Sequence, residues 1–282
     1  MTTHAEGQPI ARPIPGTGEL LPAVGLGTWQ VFDVAGRSAE MARARDTLAA
    51  FVDAGGRVVD SSPMYGTAEA VTGQLAADLA AHPRLFIATK VWTSGRQEGI
   101  RQMERSMAQL RVERLDLMQV HNLVDADTHL ETLRDWKAAG RIRYLGVTHY
   151  HAGAHAELER FIARGAIDFV QVNYSLAEPE AERRLLRAAA DHRVAVLVNR
   201  PFAQGSMFSQ VRGKPVPAWA SAAGYGTWTR FFLAWILAHP AVTCVIPATC
   251  NPQHAADNLA AASTPLPDQA IRRRMSTHFA SL

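Results

Sequence analysis

The sequence predicts an α/β fold, a (β/α)8 TIM barrel, and three observations support this prediction. Eight short apolar segments, each followed by a helical pattern, recur with a period of about 25–35 residues except before the last one. The segments are continuously apolar, which is typical of parallel strands covered on both faces. The length of 282 residues suits one barrel formed by residues 1–282 as a single domain. An open doubly wound sheet is the alternative, but no Gly-x-Gly-x-x-Gly motif follows the first strand.

The elements follow in a regular order. Two extended pieces around the turn at 15–19 predict an N-terminal β-hairpin at 10–24, which would close the bottom of the barrel. The eight strands are predicted at 24–29, 58–59, 85–92, 115–120, 144–148, 169–173, 194–198 and 243–247. The helices are predicted at 39–54, 68–81, 97–110, 128–139, 153–164, 179–190, 229–238 and 252–262. Thr67 is placed to cap the second helix. The C-terminal tail, 265–282, predicts an extra helix at 268–278, outside the barrel or over its mouth.

Composition narrows the class of protein. The net charge is +3 without a Lys/Arg block, so a nucleic-acid partner is not expected. No apolar run approaches the roughly 18 residues of a membrane span, and residues 1–6 lack the features of a secretion signal. Cys244 and Cys250 have no zinc-ligand spacing and are not expected to form a disulfide. A cytoplasmic protein, a monomer or weak homo-oligomer without a bound metal, is therefore expected.

In a barrel, functional side chains are expected at the C-terminal ends of the strands. Asp60 and Tyr65 follow the second strand, Lys90 ends the third, and His121 follows the fourth. Taken one at a time, such residues are more often helix caps, rim lysines or half-buried histidines. Taken together they favour a site, because a buried Lys90 needs an anion and Asp60 is the available one.

This set of side chains suits proton transfer to a carbonyl oxygen. A nearby Lys90 ammonium would lower the pKa of the Tyr65 phenol from roughly 10. Asp60 would keep Lys90 charged and oriented. His121, together with Tyr65, could hydrogen-bond a carbonyl oxygen and stabilise the oxyanion that forms on reduction.

The chain resembles the aldo-keto reductases along nearly its whole length. The matching segments are 25–29, 59–66, 89–92, 116–121, 142–147, 170–174 and 245–249, continuing to Asp257-Asn258. The catalytic tetrad of that family falls on Asp60, Tyr65, Lys90 and His121. The resemblance implies a nicotinamide cofactor lying across the barrel mouth. Hydride would pass from its C4 atom to the carbonyl carbon of an aldehyde or ketone, with Tyr65 as the general acid.

The same resemblance implies the cofactor contacts, with two departures. Thr148-His149 replaces the Ser-Asn pair that commonly holds the carboxamide, and no Tyr is present to stack on the nicotinamide; Arg200 could lie against the ring instead. The implied positions are Gly27, Thr28, Trp29, Asp60, Thr148, His149, Gln171, Asn199, Arg200, Pro201, Phe202, Gln204, Gly205, Ser206, Ile246, Pro247, Ala248, Thr249, Asn251, His254, Asp257 and Asn258.

The choice between NADP(H) and NAD(H) depends on the segment after the last strand. Ala248 and His254 stand where relatives usually place cations for the 2′-phosphate. Thr249 and Asn251 could still bind a phosphate, at a helix N-terminus that favours anions. No acidic residue is present to hold a bare ribose hydroxyl. NADP(H) is favoured, and NAD(H) remains possible.

Apolar residues are positioned to line the mouth and bind the substrate. The expected substrate contacts are Trp29, Tyr65, Trp92, His121 and Asn122, with Met64, Phe202 and Met207 near them. Aromatic and thioether walls suit a partly apolar aldehyde or ketone. For Met207, core packing is an equally good interpretation.

Two other functions compete with carbonyl reduction. A metal-dependent hydrolase would need several converging histidines, whereas His121 and His149 stand alone on adjacent strands beside the cationic Lys90. A cofactor-binding barrel that senses redox state through a protein partner would need a partner-binding extension or an exposed apolar patch. Neither feature is evident in the sequence.

Overall fold

The computed structural model describes residues 9–282, so the N-terminal stretch that we expect to carry no secretion signal lies outside it. The strands are β1 Ala11–Pro13, β2 Leu20–Pro22, β3 Leu26–Gly27, β4 Val58–Asp60, β5 Phe86–Val91, β6 Leu115–His121, β7 Ile142–Thr148, β8 Phe169–Asn173, β9 Ala195–Asn199 and β10 Val242–Val245. The helices are α1 Ser38–Asp53, α2 Ala68–Asp78, α3 Arg96–Leu110, α4 Ala126–Ala138, α5 His155–Ala163, α6 Leu185–Asp191, α7 Ser206–Gln210, α8 Ala218–Ala222, α9 Trp228–Leu237, α10 Pro252–Ala260 and α11 Gln269–Ala280.

Strands β3 to β10 form one parallel sheet in chain order, and the sheet closes on itself. The closure is made by backbone hydrogen bonds from Gly25 N to Val245 O (2.8 Å), from Val245 N to Ala23 O (2.9 Å) and from Gly27 N to Pro247 O (3.0 Å). The predicted (β/α)8 barrel is therefore confirmed. Its strand ends after β4, β5, β6, β7, β8 and β9 share one rim, as parallel strands require.

Alternation along the strands divides the barrel interior into two layers. The lower layer is an apolar cluster to which nearly every strand contributes, including Val58, Phe86 and Leu117. The hairpin β1–β2 closes this end, because Ile14 and Leu21 are buried in the same cluster. Nearer the mouth, the buried residues of β4, β5, β6 and β8 include the polar Asp60, Lys90, Gln119 and Gln171. The predicted hairpin and its position at the bottom of the barrel are confirmed.

Three local predictions need correction or completion. The predicted helix 179–190 is interrupted: a 3-10 turn at Glu180–Arg183 precedes α6, because Arg184 has a non-helical φ of −148°. The Thr67 cap is wrong, since the Thr67 hydroxyl and backbone N–H both donate to Asp33 Oδ1 at 2.8 Å. The tail helix α11 packs outside the barrel against α9, where Arg272 Nε donates to Trp235 O at 2.9 Å.

Within residues 9–282, no helix is both long enough and apolar enough to cross a membrane.

Candidate active site

Asp60 and Lys90 form a buried ion pair at the ends of β4 and β5. Their side chains point inward, and the residues are 2% and 0% exposed. Lys90 Nζ lies 2.5 Å from Asp60 Oδ2 and donates a second hydrogen bond to Ser61 O at 2.7 Å. Burial works against the ammonium, but Asp60 and Tyr65 together outweigh burial and raise the pKa of Lys90 above its ordinary value. The predicted pairing is therefore present, and Lys90 is a fixed cation.

The second oxygen of Asp60 is held by two amides. Gln171 Nε2 donates to Asp60 Oδ1 at 2.9 Å and Gln119 Nε2 donates at 3.2 Å. Gln171 was predicted as a cofactor contact, but sequence reasoning missed Gln119. Its signal is the alternation of the strand: Gln119 lies two residues before His121 and so faces the same side. Both carboxylate oxygens are thus hydrogen-bonded, which fixes the orientation of Asp60.

Tyr65 lies beside this pair, on the loop between β4 and α2. Lys90 Nζ is 4.9 Å from the centre of the Tyr65 ring. Burial raises the pKa of the Tyr65 phenol, while the Lys90 charge pulls it down and Asp60 adds to the rise. The predicted net lowering of this pKa is wrong, because burial outweighs the ammonium. The phenol is therefore protonated at neutral pH, as a proton donor must be.

His121 completes the cluster at the end of β6. Its ring centre is 5.9 Å from that of Tyr65 at an interplanar angle of 85°, and its Nδ1 lies 3.0 Å from Ser62 Oγ. Burial, with Lys90 and His149 nearby, lowers the pKa of His121 to about 2. The imidazole is therefore neutral at physiological pH. The structure thus brings the four predicted tetrad residues together.

Residues at the C-terminal ends of β7, β8 and β9 form a connected polar rim. Asn199 Nδ2 donates to His149 O at 3.0 Å and to Gln171 Oε1 at 3.3 Å. Thr148 is buried and pairs through its backbone with His121 and Gln171. The His149 ring stacks on Tyr150 at 5.2 Å, and burial with His151 and His155 nearby lowers the pKa of His149 to about 4. Asn199 thus links the three strand ends.

The side chain of Arg200 is fixed by two hydrogen bonds to neighbouring loops. Its guanidinium donates to Tyr150 O at 2.9 Å and to Glu178 Oε1 at 3.1 Å, and its backbone has a φ of +50°. Neither partner was predicted, since both come from loops remote in sequence. Contact between Arg200 and the nicotinamide ring stays a prediction.

The loop after Arg200 is strained and partly packed into the core. Ala203, Gln204 and Gly205 have φ values of +46°, +56° and +89°. Left-handed backbone at non-glycine residues costs free energy and is concentrated at functional sites. Phe202 packs against Phe208, with ring centres 4.8 Å apart, and Met207 is buried in the core. The geometry of Met207 favours its core interpretation, whereas Gln204 and Ser206 are exposed.

The segment after β10 supplies the remaining predicted cofactor positions. Thr249 Oγ1 accepts from Asn251 N at 3.1 Å, and Asn251 Oδ1 caps α10 by accepting from Gln253 N at 2.9 Å. Asp257 is paired with Arg230 at 2.8 Å. Of the other predicted cofactor positions in this segment, Ile246, Pro247 and Asn258 are buried, whereas Ala248 and His254 are exposed.

Apolar side chains surround the opening above the tetrad. Trp29, Met64 and Trp92 are 37%, 38% and 42% exposed, among the few large apolar residues that are. The ring of Trp92 lies 6.5 Å from that of His121. Thr28 and Gly27, which precede Trp29, are buried, and Thr28 Oγ1 donates to Asp60 O at 3.0 Å. These positions agree with a mouth whose walls are partly apolar.

Unpaired buried polar atoms test whether this mouth fits a polar ligand. Among residues 9–282, five buried side-chain nitrogen or oxygen atoms have no hydrogen-bond partner. Three of them, Asn122 Oδ1, Asn199 Oδ1 and Arg200 Nε, belong to predicted site residues at the strand ends. Buried polar groups are normally satisfied, so these atoms indicate a place for an external hydrogen-bonding partner. A dinucleotide fits that requirement.

In the described part of the chain, no group of three or more His, Cys, Asp or Glu side chains is arranged to hold a metal ion.

The mouth of the closed (β/α)8 barrel thus holds a Lys–Asp pair, a phenol and a neutral imidazole in one cluster. A family model described as "Aldo/keto reductase family" matches residues 23–276. The chain belongs to the aldo/keto reductase family. The resemblance noted from the sequence is thereby confirmed.

Individual relatives agree with this assignment. Methylglyoxal reductase DkgA of Yersinia pestis is 30% identical over 196 residues, covering 67% of this chain and 65% of that protein. Aldo-keto reductase YhdN of Bacillus subtilis is 26% identical over 204 residues, covering 67% of this chain but 61% of that protein. Both alignments therefore span less than two thirds of the relative. Methylglyoxal reductase YeaE of Escherichia coli is 28% identical over 249 residues, 85% of each chain.

A solved structure resembles nearly the whole chain. The aldo-keto reductase from Klebsiella pneumoniae in complex with NADPH has a TM-score of 0.78 and 26% sequence identity. The match covers 94% of this chain and 93% of that one.

Proposed function

We propose that this protein uses NADPH to reduce the carbonyl group of a small, partly apolar aldehyde or ketone, with Tyr65 as the general acid. The observation that carries the proposal is the buried Lys90–Asp60 pair beside the Tyr65 phenol and the neutral His121. A proton donor, a fixed cation and a second hydrogen-bonding group then surround one small volume. The developing oxyanion needs these groups when hydride adds to a carbonyl carbon.

Each residue has a separate role. Tyr65 donates its phenolic proton to the carbonyl oxygen. Lys90 stabilises the tyrosinate that remains, and Asp60 prevents Lys90 from losing its charge on burial. His121, uncharged, hydrogen-bonds the carbonyl oxygen and orients it towards Tyr65. The bound cofactor supplies the hydride.

Residues of the rim would hold the cofactor. Asn199 and Arg200 carry unpaired buried polar atoms, and Thr148 and Gln171 lie next to them on adjacent strands. Gln204 to Ser206 and the N-terminus of α10 would face its phosphates. The proposal of NADPH rather than NADH is supported by two structures of Klebsiella pneumoniae aldo-keto reductases, one in complex with NADPH and one in complex with NADP and acetate. A relative in Escherichia coli is named NADH-specific, so both cofactors belong in the test.

Methylglyoxal is the first substrate to test, because several relatives are named methylglyoxal reductases. An aromatic aldehyde such as 4-nitrobenzaldehyde tests the apolar walls of Trp29 and Trp92. We further propose that the chain acts as one domain, as a monomer or weak homo-oligomer in the cytoplasm.

A substrate panel with both cofactors, monitored by nicotinamide absorbance, tests the proposal. We expect turnover with NADPH and a loss of about 10²- to 10⁴-fold in kcat for Tyr65→Phe, the usual effect of removing a general acid. A KM for NADH about tenfold below that for NADPH would reverse the cofactor assignment. Tight NADPH binding without turnover of any carbonyl compound would instead favour a redox-sensing barrel that acts through a protein partner.

A further inference from the structure

Ser62 contacts His121, and the four-residue cluster does not explain this contact. Ser62 lies two residues after Asp60 in the loop that carries Tyr65, and it is fully buried. Its Oγ lies 3.0 Å from His121 Nδ1 and accepts a hydrogen bond from the Met64 backbone N–H at 3.3 Å. Ser62 therefore joins the loop of the proposed proton donor to the imidazole.

Hydrogen-bond accounting decides which partner donates. A serine hydroxyl has one donor and two acceptor positions, and a neutral imidazole has one of each. If His121 Nδ1 carried the proton, Ser62 Oγ would accept from both His121 and Met64. Its own hydrogen would then have no acceptor among the hydrogen bonds of residues 9–282. A buried donor without a partner costs free energy, so this arrangement is disfavoured.

The opposite arrangement satisfies the Ser62 hydroxyl, His121 Nδ1 and the Met64 N–H, and it leaves unpaired only Nε2, which is not among the fully buried unpaired atoms. The Ser62 hydroxyl donates to an unprotonated His121 Nδ1 and accepts from Met64, and the imidazole proton resides on Nε2. We infer that Ser62 is a positioning residue that fixes His121 as the Nε2–H tautomer. A neutral ring then still offers a hydrogen-bond donor to a carbonyl oxygen beside Tyr65. The inference rests on the proposed function for its catalytic meaning, but the tautomer itself is independent of turnover.

The electrostatic surroundings are consistent with this role. His121 is buried, and the Lys90 ammonium and His149 face it, which together lower its pKa to about 2. No carboxylate is hydrogen-bonded to either nitrogen in the described residues. Since the ring cannot gain a donor by protonation near neutral pH, the choice of tautomer decides whether Nε2 donates or accepts.

Ring ¹⁵N NMR of histidine-labelled protein tests the tautomer directly. The chain has 11 histidines, so the signals of His121 are assigned from their loss in His121→Asn. We expect an unprotonated Nδ1 and a protonated Nε2 that persist between pH 6 and 8. A protonated Nδ1 in the wild-type protein would overturn the inference, whether or not the protein reduces carbonyl compounds.

Kinetics of Ser62→Ala test the consequence. We expect kcat for carbonyl reduction to fall by about five- to tenfold, with the NADPH Kd unchanged, because only orientation of His121 is affected. The His121 ring signals should shift in the same variant, and Ser62→Thr, which keeps the hydroxyl, should restore both the signals and most of kcat. Thr47→Ala is the matched control, since it removes another buried hydroxyl, bonded to Arg43 O at 2.7 Å in α1.

The outcomes separate the two proposals. An equal loss of NADPH affinity and kcat in Ser62→Ala, or His121 signals identical to those of the wild type, would refute a positioning role for Ser62. A wild-type protein with the Nε2–H tautomer and no carbonyl turnover would refute the proposed function while supporting the tautomer assignment.

Discussion

The two ends of the barrel carry the same kinds of polar side chain in different settings. At the bottom, the Tyr144 hydroxyl donates to Glu19 Oε2 at 2.8 Å and lies 2.9 Å from Thr17 Oγ1, both in the hairpin turn region. Arg143 pairs with Glu19 and, at 2.7 Å, with Asp116. At this end a phenol, a cation and two carboxylates are thus hydrogen-bonded to one another or to the hairpin, although the charged side chains stay partly exposed.

At the mouth, Tyr65, Lys90 and Asp60 repeat this combination, but no hairpin among residues 9–282 covers them. Instead, unpaired buried atoms of Asn199 and Arg200 lie on neighbouring strand ends. The comparison teaches that a tyrosine, a cation and a carboxylate do not define a site by themselves. What differs is whether the protein supplies all of the partners or leaves some for a ligand.

The largest expected effect comes from removing the cation at each end. In Lys90→Met, Asp60 becomes a buried carboxylate without a counter-ion, which should cost about 3–5 kcal/mol of unfolding free energy and reduce kcat by more than about 10³-fold. Arg143→Met should cost only about 1–2 kcal/mol, because its carboxylates are partly solvated, and should leave kcat within about twofold. Urea unfolding and steady-state turnover measure both quantities.

Equal loss of activity in the two variants would contradict the comparison, because it would mean that the barrel responds as a whole. Retained activity in a folded Lys90→Met protein would remove Lys90 from the proposed mechanism.

The second expected effect separates the two phenols. Tyr144→Phe should lower the unfolding free energy by about 1–2 kcal/mol, since Glu19 and Thr17 lose a partner, and should leave kcat unchanged. Tyr65→Phe should do the reverse: little change in stability and a large loss of turnover. Thermal unfolding and carbonyl reduction, measured on the same preparations, test whether one variant loses mainly stability and the other mainly activity. A Tyr65→Phe variant that loses stability but not activity would assign Tyr65 to structure.

The barrel and the residues at its mouth could be predicted from the sequence, because they follow from local rules, whereas the polar cluster at the bottom was not predicted. Continuous apolar runs locate the strands, and the rule that functional groups follow strand ends is sufficient to single out Asp60, Tyr65, Lys90 and His121. These rules use only neighbours along the chain, and such neighbours largely determine which residues form strands and which face the mouth.

What the sequence could not predict depends on partners remote in the chain. At the start of α2, the Thr67 backbone N–H donates to the carboxylate of Asp33, which lies in another loop. The cap predicted from Thr67 alone was therefore wrong. The net pKa shift of Tyr65 depends on how deeply the fold buries it, which outweighs the predicted effect of Lys90. Likewise, the partner of Arg200 is Glu178, from the loop after β8. Such contacts follow from packing and rotamers, not from spacing.

A smaller effect is expected from glycines in turns at the two ends. Gly66, next to Tyr65, has a φ of +61°, and an added Cβ would lie 2.5 Å from the Asp33 carboxylate. Gly66→Ala should therefore cost about 1–2 kcal/mol and displace the loop of Tyr65, lowering kcat/KM about tenfold. Gly18→Ala in the hairpin has a similar φ, +78°, but open space around the Cβ. It should cost about 1 kcal/mol without affecting turnover.

Unfolding curves together with kcat/KM distinguish these variants. If Gly18→Ala reduced turnover as much as Gly66→Ala, the bottom of the barrel would be coupled to the mouth, and the two ends would not be the independent regions that their hydrogen bonds indicate.

The smallest expected effect concerns Glu69, a second buried carboxylate near the mouth. It tests whether a buried carboxylate in this barrel needs a direct ion pair, such as that of Asp60 with Lys90, to stay ionised. Glu69 lies behind β5, and it is buried without a salt-bridge partner among residues 9–282. It accepts hydrogen bonds from Thr89 Oγ1 at 2.5 Å and Ser106 Oγ at 3.0 Å. Burial raises the pKa of Glu69, although both hydroxyls and the Lys90 charge oppose the rise. Asp60, by contrast, has Lys90 in direct contact.

The sign of the pH dependence follows from this raised pKa. The protonated Glu69 carboxyl contributes its full stability below the unfolded-state pKa, roughly 4.3, and this contribution is lost as pH rises through the folded-state value. Glu69→Gln cannot ionise, so its unfolding free energy should increase relative to that of the wild type between pH 5 and pH 8. Urea unfolding at several pH values measures the difference. A constant difference across this range would show that Glu69 is already ionised, so that two hydroxyl groups and the more distant Lys90 charge suffice without the direct ion pair that Asp60 has.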